Sequence, residues 1–163
     1  LAQARRLGAL PIAEPPTVRG LNQALAHALA ALSPRDIDAL LVVPADVPAI
    51  TPAEAMAIVD ALPPTGPAVV LCPSVGRGTG AIALRPPDAV PFRFGRGSFT
   101  AHRREANARG VPVRVLRISS LASDVDSPED LLDLLARPDT TATHRLLAEI
   151  GLAERLARVA RPA

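Results

Sequence analysis

Three carboxylates offer the first chemistry in this chain. Asp46 closes the run Ala39-Leu40-Leu41-Val42-Val43-Pro44-Ala45-Asp46, and Asp124 and Asp126 stand in Asp124-Val125-Asp126-Ser127-Pro128-Glu129-Asp130. Two apart on extended backbone, Asp124 and Asp126 point the same way. Joined by Asp46 from a separate loop, they suit a divalent cation; taken singly, each also suits a turn, a cap or a solvated loop. A second constellation is Phe92-Arg93-Phe94-Gly95-Arg96-Gly97-Ser98. Ser98 reads as the N-cap of a helix over 99–108, and a helix start preceded by glycines and flanked by Arg93 and Arg96 is an anion site. Gly76, Gly78 and Gly80, with Arg77 and Thr79 among them, let backbone amides approach an anion or make a hairpin connection between strands. Asn22, in the first turn of a helix, reads either as helix-start chemistry or as a ligand contact.

These residues need a scaffold, and the apolar pattern supplies one. Ala39 to Val43 is too short for a free-standing helix and reads as a strand buried on both faces, which places Asp46 just beyond its carboxyl end, where α/β sheets bind ligands. Ala68–Cys72, Ala81–Leu84 and Val111–Ile118 read as further strands, the last with Val111, Val113, Val115 and Arg117 on one face. Helices are expected over 1–8, from Gly20 to near Pro34, from the capping box Thr51-Pro52-Ala53-Glu54 to about Leu62, behind Ser127-Pro128, and over 140–158 with a break near Gly151. Ala9 to Ala13 reads as a short strand or extended segment. Cys72 reads as a small core residue, and His27, His102 and His144, without ligand spacing to one another, as surface residues.

Composition narrows the classes. The 163 residues make one domain with a real core. No apolar run approaches the roughly 20 residues of a membrane span, nor does the start resemble a signal peptide, so a cytoplasmic protein is expected. One cysteine excludes an internal disulfide framework and a Cys-rich zinc site. The pI near 9.9 accompanies a net charge of only +2, and all 18 basic residues are scattered arginines. With no Trp or Tyr and three Phe there is no stacking platform, and no nucleic-acid partner is expected.

Gly20-Leu21-Asn22, Pro44-Ala45-Asp46-Val47-Pro48, Gly78-Thr79-Gly80, Phe92-Arg93-Phe94-Gly95 with Ser98, and Asp124 through Asp130 occur in one order. In that order, over roughly residues 15–135, the chain resembles the 2-phospho-L-lactate or phosphoenolpyruvate guanylyltransferases of deazaflavin coenzyme biosynthesis. The resemblance implies an α/β fold: a Rossmann-like mixed, mostly parallel sheet of the nucleotide-diphospho-sugar transferase type, flanked by helices. It further implies GTP, Mg²⁺ and a small phosphorylated three-carbon acid. Asp46, Asp124 and Asp126 would be metal ligands, Asn22 and Asp46 would serve the nucleotide, and Gly95, Ser98, Arg93 and Gly80 would serve the acceptor.

The chain departs from that family twice. Family members usually begin with a strand and a basic loop that wraps the triphosphate, a segment not seen here, and after Gly80 they tend to place Thr followed by Asn or Thr, where this chain has Ala81-Ile82. The expectation is a single, N-terminally incomplete domain with residues 137–163 as its helical extension. Made alone, it would neither release pyrophosphate from GTP nor stay cleanly monomeric, a homodimer through an exposed strand edge being one outcome. Two further readings stay open: a non-catalytic relative acting as a binding or partner domain, and a different sugar-nucleotide or molybdopterin-type nucleotidyltransferase.

Overall fold

Val69 to Cys72 are completely buried, and the molecule is layered around them. The computed structural model describes residues 2–32, 35–122, 124–136 and 141–159. Its elements are α1 (Ala2–Arg6), α2 (Gly20–Leu32), β1 (Leu40–Val42), α3 (Pro52–Asp60), β2 (Ala68–Pro73), β3 (Thr79–Arg85), α4 (Ser98–Ala108), β4 (Val113–Val115), α5 (Pro128–Ala136), α6 (Ala142–Glu149) and α7 (Leu152–Val159). The sheet runs β1-β3-β2-β4. β3 is antiparallel to both β1 and β2, and β4 is parallel to β2, so three of the four strands share a direction.

Strand alternation divides the core in two. Ala68, Val70, Cys72, Ala81 and Ala83 point to one face and pack with Val47, Ile58 and Leu62 of the α3 side and with Leu121. Val69, Leu71, Ile82 and Leu84 point to the other, against Phe92, Ala106 and Val111, with Leu25 and Leu29 of α2 laid over them. Helices on both faces explain why β2 and β3 read as continuous apolar runs.

Several expectations change in detail. The Gly76–Gly80 segment is the hairpin connection: a 3-10 turn over Val75–Arg77 joins β2 to β3, and Ser74 N–H donates to the Gly78 carbonyl. The Val111–Ile118 strand shrinks to Val113–Val115 because its outer side has no partner among the described residues, and Val115, expected inside, is 43% exposed. Ala9 to Ala13 joins no strand ladder and no helix. Pro34 lies outside the described residues, as do 137–140 and 160–163 of the C-terminal extension; α6 and α7 are separated at Gly151, which has φ +61°. Among the described residues no helix is long and apolar enough to cross a membrane.

The capping box at Thr51 is complete: its hydroxyl accepts from Glu54 N–H at 3.2 Å, and the Glu54 carboxylate accepts from Thr51 N–H at 2.9 Å. Thr51→Ala is expected to lower the urea-unfolding free energy by about 1 kcal/mol. Because α3 packs on the sheet face away from the anion-site helix α4, ligand affinity should not move with it.

Candidate functional site

Topology gathers the chemistry at one end of the sheet. The carboxyl ends of β1, β2 and β4 lie together there with the start of β3, and α4, which leads back to β4, begins at the same end. A cavity of about 340 Å³ opens at this place. Pro44, Asp46 and Val47 line it from the loop after β1, Ser74 and Gly78 from the hairpin, and Thr79 and Gly80 from the start of β3. Phe94, Gly95 and Ser98 close it from the start of α4, Asp124 and Asp126 from the loop after β4, and Leu21 from α2. Asp46, Asp124, Asp126, Gly80, Gly95 and Ser98 therefore border one pocket.

Backbone bonds hold the acidic loops. Val125 N–H donates to the Asp46 carbonyl at 2.9 Å, tying the loop after β1 to the loop after β4. Asp130 reaches back from α5: one carboxylate oxygen accepts from the amides of Asp126 at 3.1 Å and Ser127 at 2.8 Å and from the Ser127 hydroxyl at 2.7 Å. The Ser127 hydroxyl contact leads in holding the Asp130 carboxyl below its ordinary value, and the two amides add to it. Asp126 is thus positioned by a helix cap, with no carboxylate of its own spent on it. Among the described residues no group of three or more His, Cys, Asp or Glu side chains stands close enough to form a ready-made metal cage.

The α4 end differs from the expectation. Gly97, with φ +71°, is the N-cap and makes no side-chain bond; Ser98 is the first helical residue and is 2% exposed. Ser98 N–H donates to the Gly95 carbonyl at 3.0 Å, so the helix offers an anion its remaining first-turn amides. Gly95 has φ +122°, a conformation that side chains rarely adopt.

Two expected ligands face elsewhere. Arg93 donates from Nε to Glu105 at 2.7 Å, Arg109 binds the other oxygen of the same carboxylate, and Arg93 lines a groove along α2. The two arginines hold the Glu105 carboxyl below its usual range. Asn22 donates to the Phe94 carbonyl at 3.0 Å and accepts from Phe94 N–H at 2.7 Å, so it fixes the backbone that carries Gly95. Its side-chain amide is engaged by that backbone and not by a helix cap.

Gly80 has a packing reason of its own. A Cβ there would lie 2.5 Å from the Leu121 carbonyl oxygen and 3.1 Å from Leu121 Cβ. Gly80→Ala must push β3 from the 119–121 turn, and a loss of about 1–3 kcal/mol in unfolding free energy is expected. An unchanged urea midpoint would show that the turn gives way freely.

The histidines also depart from the surface reading. His102 is fully buried, His27 is half-buried, and the His144 ring nitrogen Nε2 lies 3.2 Å from the Leu135 carbonyl. His102 meets Thr79 and the Arg93 backbone, a constellation sequence reasoning passed over. Its signal was present in the spacing: Ser98, His102 and Ala106 recur every four residues and share one helix face, and all three are buried.

Comparison with known proteins fits this geometry. A solved chain from Desulfovibrio desulfuricans G20, named for the nucleotide-diphospho-sugar transferases, superposes with a TM-score of 0.65 at 19% identity over 85% of this chain and 64% of that one, which shows the fold. The chain is 44% identical to the phosphoenolpyruvate guanylyltransferase of Sphaerobacter thermophilus over 82% of its own length and 63% of that protein. It is 36% identical to the 3-phospho-D-glycerate guanylyltransferase of Colwellia psychrerythraea, over 80% of the chain and 62% of the relative. To the 2-phospho-L-lactate guanylyltransferase of Methanothermobacter thermautotrophicus it is 33% identical, over 86% and 61%. The chain thus spans a little over three fifths of these relatives. The family model described as guanylyl transferase CofC like matches residues 4–161, and the chain belongs to that family.

Proposed function

We propose that this pocket serves guanylyl transfer from GTP to the phosphate of a small phosphorylated three-carbon acid, in the cytoplasm and as a step of deazaflavin coenzyme assembly. The observation that supports it is the meeting of Asp46, Asp124 and Asp126 with Gly95 and Ser98 of the α4 start around one cavity, in a member of this family. In the reaction an acceptor phosphate oxygen attacks the α-phosphorus of GTP, the bond from that phosphorus to the bridging oxygen breaks, and pyrophosphate leaves with the electron pair. No protein nucleophile is needed; the chain must position and neutralise.

The donor set fits Mg²⁺. Among the described residues the cavity is lined by three carboxylates and no basic side chain, so it repels a bare polyanion. Mg²⁺ characteristically takes one or two carboxylates and completes its shell with water and substrate phosphates, which an open acidic rim without a closed cage suits. Asp46, Asp124 and Asp126 would hold it. When bound, the ion would supply charge neutralisation at the transferring phosphate. Opposite that rim, the α4 start and the left-handed Gly95 offer backbone amides to the acceptor. Arg93 belongs to the support of this loop, through Glu105, and Asn22 through Phe94.

The test is pyrophosphate release from GTP and Mg²⁺ by the full chain with phosphoenolpyruvate, 2-phospho-L-lactate or 3-phospho-D-glycerate, with mass detection of the guanylylated acid. One acid giving product supports the reading and overturns the expectation that the chain made alone releases no pyrophosphate. Binding of a sugar phosphate in preference to all three acids would overturn it.

A further inference from the structure

Beside the cavity lies a buried pair that the scheme above does not use. His102 has no exposed surface; Arg93 N–H donates to its Nε2 at 2.9 Å, and the Thr79 hydroxyl oxygen lies 3.1 Å from its Nδ1. A backbone N–H can only donate, so Nε2 carries the lone pair, and in a neutral imidazole the proton then sits on Nδ1. An Nδ1–H cannot accept. The Thr79 oxygen can only receive that hydrogen, which the ring also directs at the Ser98 backbone, and the Thr79 hydroxyl hydrogen is left for another acceptor. Thr79 lines the cavity at the start of β3, between Gly78 and Gly80.

The neutral ring persists across the working range. Burial pushes the His102 pKa down to about 4; the contact with the Ser98 backbone opposes this, Arg93 adds to it, and Glu105 opposes it. The ring also stands edge-on to Phe94, with centroids 5.1 Å apart, which restricts its rotation.

We propose that His102 is a positioning residue that orders the Thr79 hydroxyl as a hydrogen-bond donor to an anionic oxygen of the acceptor acid. This rests on the guanylyl-transfer reading and names a contact within it. A neutral, pre-oriented donor is useful in a cavity lined by carboxylates, because it can donate to an anionic oxygen without forming an ion pair with Asp46, Asp124 or Asp126. The same imidazole holds the Arg93 amide while Asn22 holds Phe94, so donor and acceptor loop are set by one buried group.

The full chain with Thr79→Val and with Thr79→Ser is titrated calorimetrically, in the presence of Mg²⁺, with phosphoenolpyruvate and with inorganic phosphate, and the His102 ring nitrogens are read by ¹⁵N NMR. Thr79→Val is expected to weaken binding by about 10- to 100-fold, as loss of a hydrogen bond to a charged group does, and Thr79→Ser to restore it. Loss with both probes places Thr79 at the phosphate end; loss with phosphoenolpyruvate alone places it at the carboxylate. The ring should read as Nδ1–H, and His102→Gln should add no further loss in the Thr79→Val background. An Nε2–H ring, equal binding by Thr79→Val, or an additive His102→Gln loss each overturns the proposal. Failure of the guanylyl-transfer reading looks different: the unsubstituted chain then binds neither probe although the ring reads Nδ1–H, and the ligand assigned to Thr79 falls with it.

Discussion

Asp46→Asn is expected to weaken Mg²⁺-dependent GTP binding by at least about 100-fold, beyond the 10- to 100-fold typical of a residue that only supports a metal ligand. The cavity contains no basic side chain among the described residues, so the triphosphate gains entry only as a cation complex, and Asp46 contributes one of three carboxylates. Folding should change little. The side chain is exposed, no hydrogen bond among the described residues depends on its carboxylate, and what joins its loop to the loop after β4 is its carbonyl, which Asn retains. A change within about 0.5 kcal/mol in unfolding free energy is expected, as for other surface substitutions. Calorimetric titration of GTP with and without Mg²⁺, beside a urea curve, separates the two effects. Equal GTP affinity in the variant would remove Asp46 from the cation site. Thr51→Ala is the matched control, because its cost falls on stability alone.

What the sequence disclosed was local. Leu40 to Val43 followed by Pro44 and Asp46 shows a buried strand and its carboxyl end, Thr51-Pro52-Ala53-Glu54 shows a helix start, and Ser127 to Asp130 shows another. Each depends on neighbours within a few residues, so each can be read directly. What escaped depends on partners far along the chain. Arg93 lies beside Gly95 in sequence and was read as an anion ligand, but Glu105, one helix turn into α4 from His102, takes its guanidinium. Ser98 has the residue type of an N-cap, yet Gly97 occupies that place, because the left-handed turn there needs a residue without Cβ. Asn22 is 72 positions from the backbone it holds, and Thr79 is 23 from His102. The family's preference for a hydroxyl after Gly80 directed attention to Ala81-Ile82, both completely buried in the core, while a hydroxyl-bearing residue that lines the cavity is Thr79, one residue before Gly80.

Acidification is expected to cost this fold on the order of 3 kcal/mol between pH 6.5 and pH 4, from His102 alone. The sign follows from where protons bind. In the unfolded chain the imidazole takes a proton near its ordinary 6.5, whereas in the folded chain burial holds it neutral down to about 4. Between those values the unfolded state binds more protons, so the contribution is whole above pH 6.5 and is lost as pH falls toward 4. Glu54, Glu105 and Asp130 are depressed carboxyls, and their contributions are lost only as pH falls below their ordinary values of 4.5, 4.5 and 3.8. The interval from pH 6.5 to 4.5 therefore isolates His102 from these three carboxyls. Urea unfolding in steps across it should show the free energy falling by up to about 1.4 kcal/mol per pH unit. His102→Gln keeps an acceptor for the Arg93 amide without a titrating ring, and should flatten that slope while lowering stability at neutral pH. A slope unchanged by His102→Gln would mean that the imidazole is hydrated in solution and that Thr79 keeps no fixed partner.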